Sequence, residues 1–260
     1  MHVHETIIAS KRTNFVYLWT MMKITDFLSS PLKGVFEGFT DWHCHILPGV
    51  DDGFKTLEDS LAVLARYEEA GVKNVFFTPH VMVDMPNETD DLRRRFDELQ
   101  AAYSGGLNLF LASENMLDDL FLKRLEAKDF LPLPDKRLLV ETSYFNPPVD
   151  LFGTLRKIEK AGYSPVLAHP ERYQYMSERK YVALLDNEIE FQLNIASLTG
   201  YYGREAQGRA QWLLSEEGYS YCGTDLHRSS QFEHLLESMI RRSCLKELQE
   251  TVLDVSNILE

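Results

Sequence analysis

The sequence predicts an α/β protein, a barrel of seven parallel strands in a single domain, with an open doubly wound sheet as the alternative. Three observations point there. From residue 36 onward, short β-branched or aromatic runs alternate with longer stretches of helical spacing. There are seven such runs, and no internal repeat, low-complexity tract or linker divides them. Alternation of this kind builds βαβ units around a parallel sheet, and 260 residues is a common length for one α/β barrel.

The first thirty-five residues are read as an irregular N-terminal extension and residues 36–260 as the domain. His2 and His4 lie near a terminus that offers no rigid support for a ligand pair, and Met22 is a second candidate start. The strand candidates are 36–42, 75–78, 107–112, 137–142, 165–168, 189–194 and 219–222. A helix starting at Leu57 repeats apolar residues at Leu61, Leu64 and Ala65 and stops at Gly71, a usual helix-ending residue. Further helical spacing covers 88–103, 116–127, 149–161, 179–186 and 203–217, and two last helices are expected at 230–241 and 243–259.

Composition narrows the function. Lys and Arg total 27 against 40 Asp and Glu, a net charge of −13 that repels nucleic acid and anionic lipid. Three cysteines in a chain of this length form no disulfide framework, as expected in a reducing cytoplasm. No apolar run near the start is long enough to span a bilayer, and none ends in a small-residue cleavage site.

Of the six histidines after residue 40, five fall at or just beyond a strand end. Strand one runs into Asp41-Trp42-His43-Cys44-His45 and then Asp51-Asp52-Gly53; strand two ends at Thr78-Pro79-His80 and strand three at Ser113-Glu114. Strand five runs into Ala168-His169-Pro170-Glu171-Arg172-Tyr173, and strand seven into Thr224-Asp225-Leu226-His227. In an α/β barrel these ends open onto one face, where active sites are built. Side chains at i and i+2 share a side of an extended segment, so His43 and His45 can reach one ion, and Asp225 and His227 repeat the pattern. Imidazoles and carboxylates are ligands for Zn, Mn or Fe. His43, His45, Asp52, His80, Glu114, His169, Asp225 and His227 are too many for one tetrahedral ion. They suit two or three ions sharing carboxylates, with Glu114 and Asp225 as bridges, which is phosphoesterase chemistry. Blander roles compete: Asp51 and Asp52 suit a turn before Gly53, Glu114 a helix start and Asp225 a helix cap.

The series HxH, Asp-Asp-Gly, Thr-Pro-His, a lone Glu, Ala-His-Pro-Glu-Arg-Tyr and Asp-x-His resembles the PHP (polymerase and histidinol phosphatase) superfamily. Within it, the sequence is most similar to the bacterial metal-dependent tyrosine-protein phosphatases of capsular and exopolysaccharide operons, the CpsB/YwqE type. The two most specific stretches are 43–53 and 165–173, and the resemblance spans roughly residues 36 to 245. It implies a distorted (β/α)7 TIM-like barrel, the PHP fold, holding two to three divalent ions on the eight residues named above, with Mn first and Fe or Zn as alternatives. It implies hydrolysis of phosphotyrosine by a metal-activated water, with a capsule-assembly tyrosine kinase as substrate and ring-like homo-oligomers conceivable. Arg172 would meet the substrate phosphate, whose oxygens its fork can bind bidentately, and Asp52 and His227 would join it in catalysis. The alternatives are a small-molecule phosphoesterase of the same superfamily, such as a histidinol-phosphate phosphatase, and a non-catalytic metal-stabilised binding module.

The sequence departs from the family pattern in two places. A second arginine is expected several residues beyond the last Asp-x-His, but Phe232 stands in that region, leaving Arg228 as the candidate second phosphate contact. The lone Glu sits in Ser-Glu-Asn-Met, not the more usual Gly-Ala-Glu-Ile. Cys222 and Arg228 form a literal Cys-x5-Arg, the thiolate phosphatase signature. The loop between them carries an acid where backbone amides should cradle phosphate, which opposes a thiolate.

Overall fold

In the computed structural model, which describes residues 28–253, the first element is a short strand, β1 (Ser29–Pro31), followed by a 3-10 turn over Leu32–Phe36. His2, His4, Met22 and most of the expected extension lie outside the described residues. The elements that follow are β2 (Thr40–Cys44), α1 (Leu57–Ala70), β3 (Asn74–Phe77), β4 (His80–Val81), α2 (Thr89–Ala102), β5 (Asn108–Leu111), β6 (Glu114–Met116), α3 (Asp119–Ala127) and β7 (Arg137–Glu141). The chain continues through α4 (Leu151–Lys160), β8 (Ser164–Ala168), α5 (Glu178–Leu185), β9 (Glu190–Asn194), α6 (Ile195–Thr199), α7 (Arg204–Ser215), β10 (Tyr221–Gly223), α8 (Ser229–Glu237), β11 (Met239–Arg241) and α9 (Arg242–Glu247).

The result is a mixed α/β fold with parallel strands in two sheets, ordered β10-β9-β8-β7-β6-β4 and β2-β3-β5. The strands expected at 75–78 and 107–112 are β3 and β5 of the smaller sheet, and beyond each the chain adds a second short strand, β4 or β6, to the larger sheet. Pro79 lies in the first break and cannot donate to a ladder, while the backbone still bridges the gap through Ala112 N–H to Phe77 O (2.8 Å) and Glu114 N–H to Pro79 O (3.1 Å). On the other flank, Asp225 N–H donates to His43 O (2.7 Å) and His45 N–H to Leu226 O (3.0 Å), joining the end of β2 to the segment after β10.

Local chemistry sets the boundaries. The Thr56 hydroxyl caps α1 by accepting from Asp59 N–H, and Gly71 closes it with φ 94°. Asp118 and Asp150 cap α3 and α4 in the same way. The helix expected at 230–241 stops at Glu237, because residues 239–241 pair antiparallel with β1 instead. That pairing was invisible to helical periodicity, since its partner lies some two hundred residues away.

Two clusters form the core. The larger lies chiefly between strands and helices; the smaller gathers Trp42, Phe76, Leu139, Val166, Ala168 and Tyr221 from five strands, with Trp42 stacked on Phe76 at 4.5 Å. Trp42 belongs to one cluster and Cys44 to the other, although i and i+2 share a face of a regular strand. The register of β2 against β3 shifts between Asp41 and Cys44, and this irregularity separates them just where His43 begins the ligand pair. Among the described residues, no helix is long and apolar enough to cross a membrane.

Candidate metal centre

Side chains from β2, β4 and β6 and from the segments after β2, β8 and β10 converge on one cluster, most of it buried. His43 and His45, on and just beyond β2, place their Nε2 atoms 3.1 Å apart. Glu114, the first residue of β6, sits at the middle. Its Oε2 is 3.2 Å from His43 Nε2, 3.3 Å from His45 Nε2 and 3.0 Å from His80 Nδ1, and its Oε1 is 2.9 Å from His169 Nε2. Asp225 forms a second node, its Oδ1 lying 3.3–3.5 Å from nitrogens of His43, His45 and His227. Asp52 stands at the mouth, 64% exposed, with Oδ1 3.3 Å from His227 Nε2 and 3.5 Å from His80 Nε2. All eight residues expected as ligands therefore converge, and the two carboxylates expected to bridge are the two that touch most imidazoles.

The residues behind the cluster aim it. Gln192 Oε1 faces His43 Nδ1 at 2.9 Å, and Asp51 Oδ2 faces His45 Nδ1 at 2.8 Å, so each ring turns Nε2 inward. Asp41, fully buried, accepts from Thr224 N–H and from the Thr224 and Tyr67 hydroxyls, pinning β2 to the end of β10. Gly53 and Gly223 are required by close approach: a Cβ on the first would lie 2.1 Å from His45 O, and on the second 2.5 Å from His43 Cβ. His169 (φ 33°) and Asp225 (φ 51°) hold left-handed backbone, which bends the chain so that their side chains enter the cluster.

Electrostatics bind the set together. Burial opposes protonation of His43 and His45, yet Glu114 and Asp225 for the first, and Asp51 with them for the second, raise both. His80 is likewise opposed by burial and by His45, but Glu114 and Glu141 push it up to about 10. Burial alone would raise Glu114 and Asp225; the imidazoles, His43 foremost, hold both carboxyls well below their usual range. Asp52 is also held low, first by its hydrogen bond to His227.

Divalent ions fit this donor set. Among the described residues, five buried polar side-chain atoms lack a hydrogen-bond partner, and four belong to His80, Glu114, Glu141 and His169. His80 Nδ1 and Glu114 Oε2 are 3.0 Å apart without hydrogen-bond geometry, as expected of atoms aimed at a shared point instead of at each other. Three groups have ligand atoms close enough to hold an ion: His45, Asp52, His80 and His227; His43, His45, Glu114 and Asp225; and His80, Glu114 and Glu141. The donors are nitrogen and oxygen throughout, which suits Mn, Fe or Zn.

Glu141, the last residue of β7, is a site residue that the sequence reading missed. Its signal was a carboxylate ending an apolar strand, which must find a partner once buried. Asp51, read only as a turn residue, orients His45 and also accepts from His80 N–H.

Arg172 lies at the edge of the cluster, where its Nη1 donates to Asp225 Oδ2 at 2.6 Å rather than to Glu171. The guanidinium is held between the rings of Tyr144 (4.2 Å) and Tyr202 (4.1 Å). Phe232 is fully buried against Phe36 and Tyr67, so its position serves the core, and Arg228 is exposed beside His227 at the start of α8. Cys222 is buried in the core, where burial and then Asp41 and Glu171 push its thiol well up. Cys222→Ser is therefore expected to keep most turnover while losing about 1–3 kcal/mol of stability. Complete loss of activity with metal content intact would instead revive a thiolate mechanism.

Fold and cluster together define an α/β protein organised around a histidine- and carboxylate-rich centre of the kind that holds divalent ions. The family described as "Capsular polysaccharide synthesis, CpsB/CapC" matches residues 39–253, and the chain belongs to this family. It is 23% identical over 217 residues to the putative tyrosine-protein phosphatase CapC of Staphylococcus aureus, covering 81% of this chain and 85% of CapC. It is 28% identical over 206 residues to the tyrosine-protein phosphatase CpsB of Streptococcus agalactiae serotype V (72% and 82%). It is 26% identical over 194 residues to the tyrosine-protein phosphatase YwqE of Bacillus subtilis (72% and 76%). Among solved structures, it matches a chain from the crystal structures of YwqE from B. subtilis and CpsB from Streptococcus pneumoniae, described as unique metal-dependent tyrosine phosphatases. The TM-score is 0.69 at 23% identity, over 82% of this chain and 87% of that one.

Proposed function

We propose that this chain is a metal-dependent protein-tyrosine phosphatase of capsule or exopolysaccharide regulation, acting in the cytoplasm on a phosphotyrosine protein such as a capsule-assembly kinase. The observation that carries the reading is the convergence of five histidines with Asp52, Glu114 and Asp225, with Arg172 at their edge. On this reading the two sheets act as one distorted seven-stranded barrel, residues 36–260 are the catalytic domain, and the eight residues hold two or three ions, Mn first. Such ions supply an activated water and neutralise charge for an in-line displacement.

The chain's own residues do the rest. Arg172 has both faces covered by tyrosine rings and one nitrogen committed to Asp225, so it offers its remaining N–H edge to the non-bridging oxygens. Arg228 supplies the second contact from the start of α8. Asp52 stays ionised and stands with His227 at the mouth, 3.3 Å apart, as the pair nearest to where the leaving oxygen departs. A phenolate leaves with a conjugate-acid pKa of about 10, so it needs less protonation than an alkoxide.

The test is turnover on a phosphotyrosine peptide against histidinol phosphate. Phosphotyrosine is expected to be preferred, with activity lost on chelation and restored by Mn2+. Preference for histidinol phosphate would favour a small-molecule phosphoesterase, and metal binding without turnover a non-catalytic module.

A further inference from the structure

One cavity opens beside Arg172, and a second adjoins it at Arg209. The first, of about 330 Å³, has Arg172 and its flanking Tyr144 and Tyr202 in its wall and extends past Phe145 and Arg204. The other, of about 540 Å³, lies between α5 and α7 against Tyr181 and Trp212 and includes Arg179. Arg209 lines both, so the two adjoin across its side chain; together they are termed the trough, with Arg172 at one end. Four arginines and two glutamates line it, a local excess of positive charge in a chain of net charge −13. Arg209 is partly committed, its Nε donating to Glu171 O at 2.7 Å and its Nη1 lying 3.8 Å from Glu205. Arg179 and Arg204 are exposed and have no hydrogen-bond or ion-pair partner among the described residues. In a chain with 40 acidic against 27 basic residues, two unpaired arginines lining the trough are cations left available to a ligand.

We propose that the trough docks an acidic polypeptide segment flanking the phosphotyrosine, with Arg179 and Arg204 pairing with its carboxylates and Phe145 and Trp212 packing its apolar side chains. The occupant rests on the phosphatase reading; the charge complementarity does not. Ion pairing at a rim favours one partner over another and weakens with salt.

The test uses metal-loaded protein and two peptides carrying a non-hydrolysable phosphonate in place of phosphotyrosine, one with glutamate flanks and one with lysine flanks, followed by fluorescence anisotropy. Wild type is expected to bind the glutamate peptide about tenfold more tightly, with the preference shrinking in high salt. R179E/R204E is expected to abolish or invert that preference, and the milder R179Q/R204Q to reduce it, with melting temperature reporting that each variant folds. The ratio of kcat/KM for the matching phosphopeptides should follow the binding ratio. Equal binding of both peptides by wild type, or a preference untouched by charge reversal, overturns the proposal. Hydrolysis without flank preference sinks the trough and leaves the phosphatase standing. Flank-selective binding without hydrolysis does the reverse.

Discussion

Arg172→Ala is expected to lower kcat/KM on a phosphotyrosine peptide by about 10²–10³-fold, the usual cost of removing one donor that faces developing charge. Metal content should stay at the wild-type level, because Arg172 is not among the converging ligand atoms and Asp225 Oδ2 keeps its hydrogen bond from Asn194 at 2.9 Å. Arg172→Lys recovers little. An ammonium presents a point charge where a planar fork is stacked between Tyr144 and Tyr202, and its three N–H bonds diverge tetrahedrally instead of offering a coplanar pair to two phosphoryl oxygens. Steady-state kinetics beside metal analysis of each variant checks both statements. Unchanged kinetics in Arg172→Ala would remove this arginine from the reaction.

Glu114→Ala is expected to be more damaging still, since the carboxylate is shared. Its two oxygens lie within 3.3 Å of nitrogens on His43, His45, His80 and His169, so its loss disturbs more than one group of candidate ligands at once. Bound metal should drop below wild-type stoichiometry and turnover should fall at least about a thousandfold, roughly 4 kcal/mol at 1.36 kcal/mol per decade. The metal-free protein should suffer as well. Glu114 is the buried anion around which these imidazoles gather, and removing one side of a buried charge set costs about 3–5 kcal/mol. Metal analysis and urea unfolding of the stripped protein read the two effects separately. Full metal stoichiometry in Glu114→Ala would show that this carboxylate is not a shared ligand.

The sequence was informative where chemistry sits on regular elements. All five histidines at strand ends lie in the cluster, because a parallel α/β sheet puts those ends on one face whatever the strand lengths. Local patterns gave α1 and its stop at Gly71, since cap and turn residues act on their own neighbours. What stayed hidden depends on distant partners. Strand β11 was read as the end of a helix, since only pairing with β1 makes residues 239–241 extended. The breaks between β3 and β4 and between β5 and β6 follow from how the two sheets meet. Glu141 escaped because no histidine stands near it in the chain, and its partner His80 arrives from another strand. The tyrosine rings around Arg172 had no sequence signal: Tyr202 lies between α6 and α7 and Tyr144 beyond β7, neither within a motif.

The left-handed turns at His169 and Asp225 also matter for how robust the protein can become. A side-chain-bearing residue held in that region costs on the order of 1–3 kcal/mol, against a total folding margin of about 5–15 kcal/mol for a typical protein. Glycine would relax either bend but would take away an imidazole or a carboxylate. Thermal resilience and hydrolytic competence therefore pull on the same two positions in opposite directions, and selection for heat tolerance would have to find its gains elsewhere in the chain.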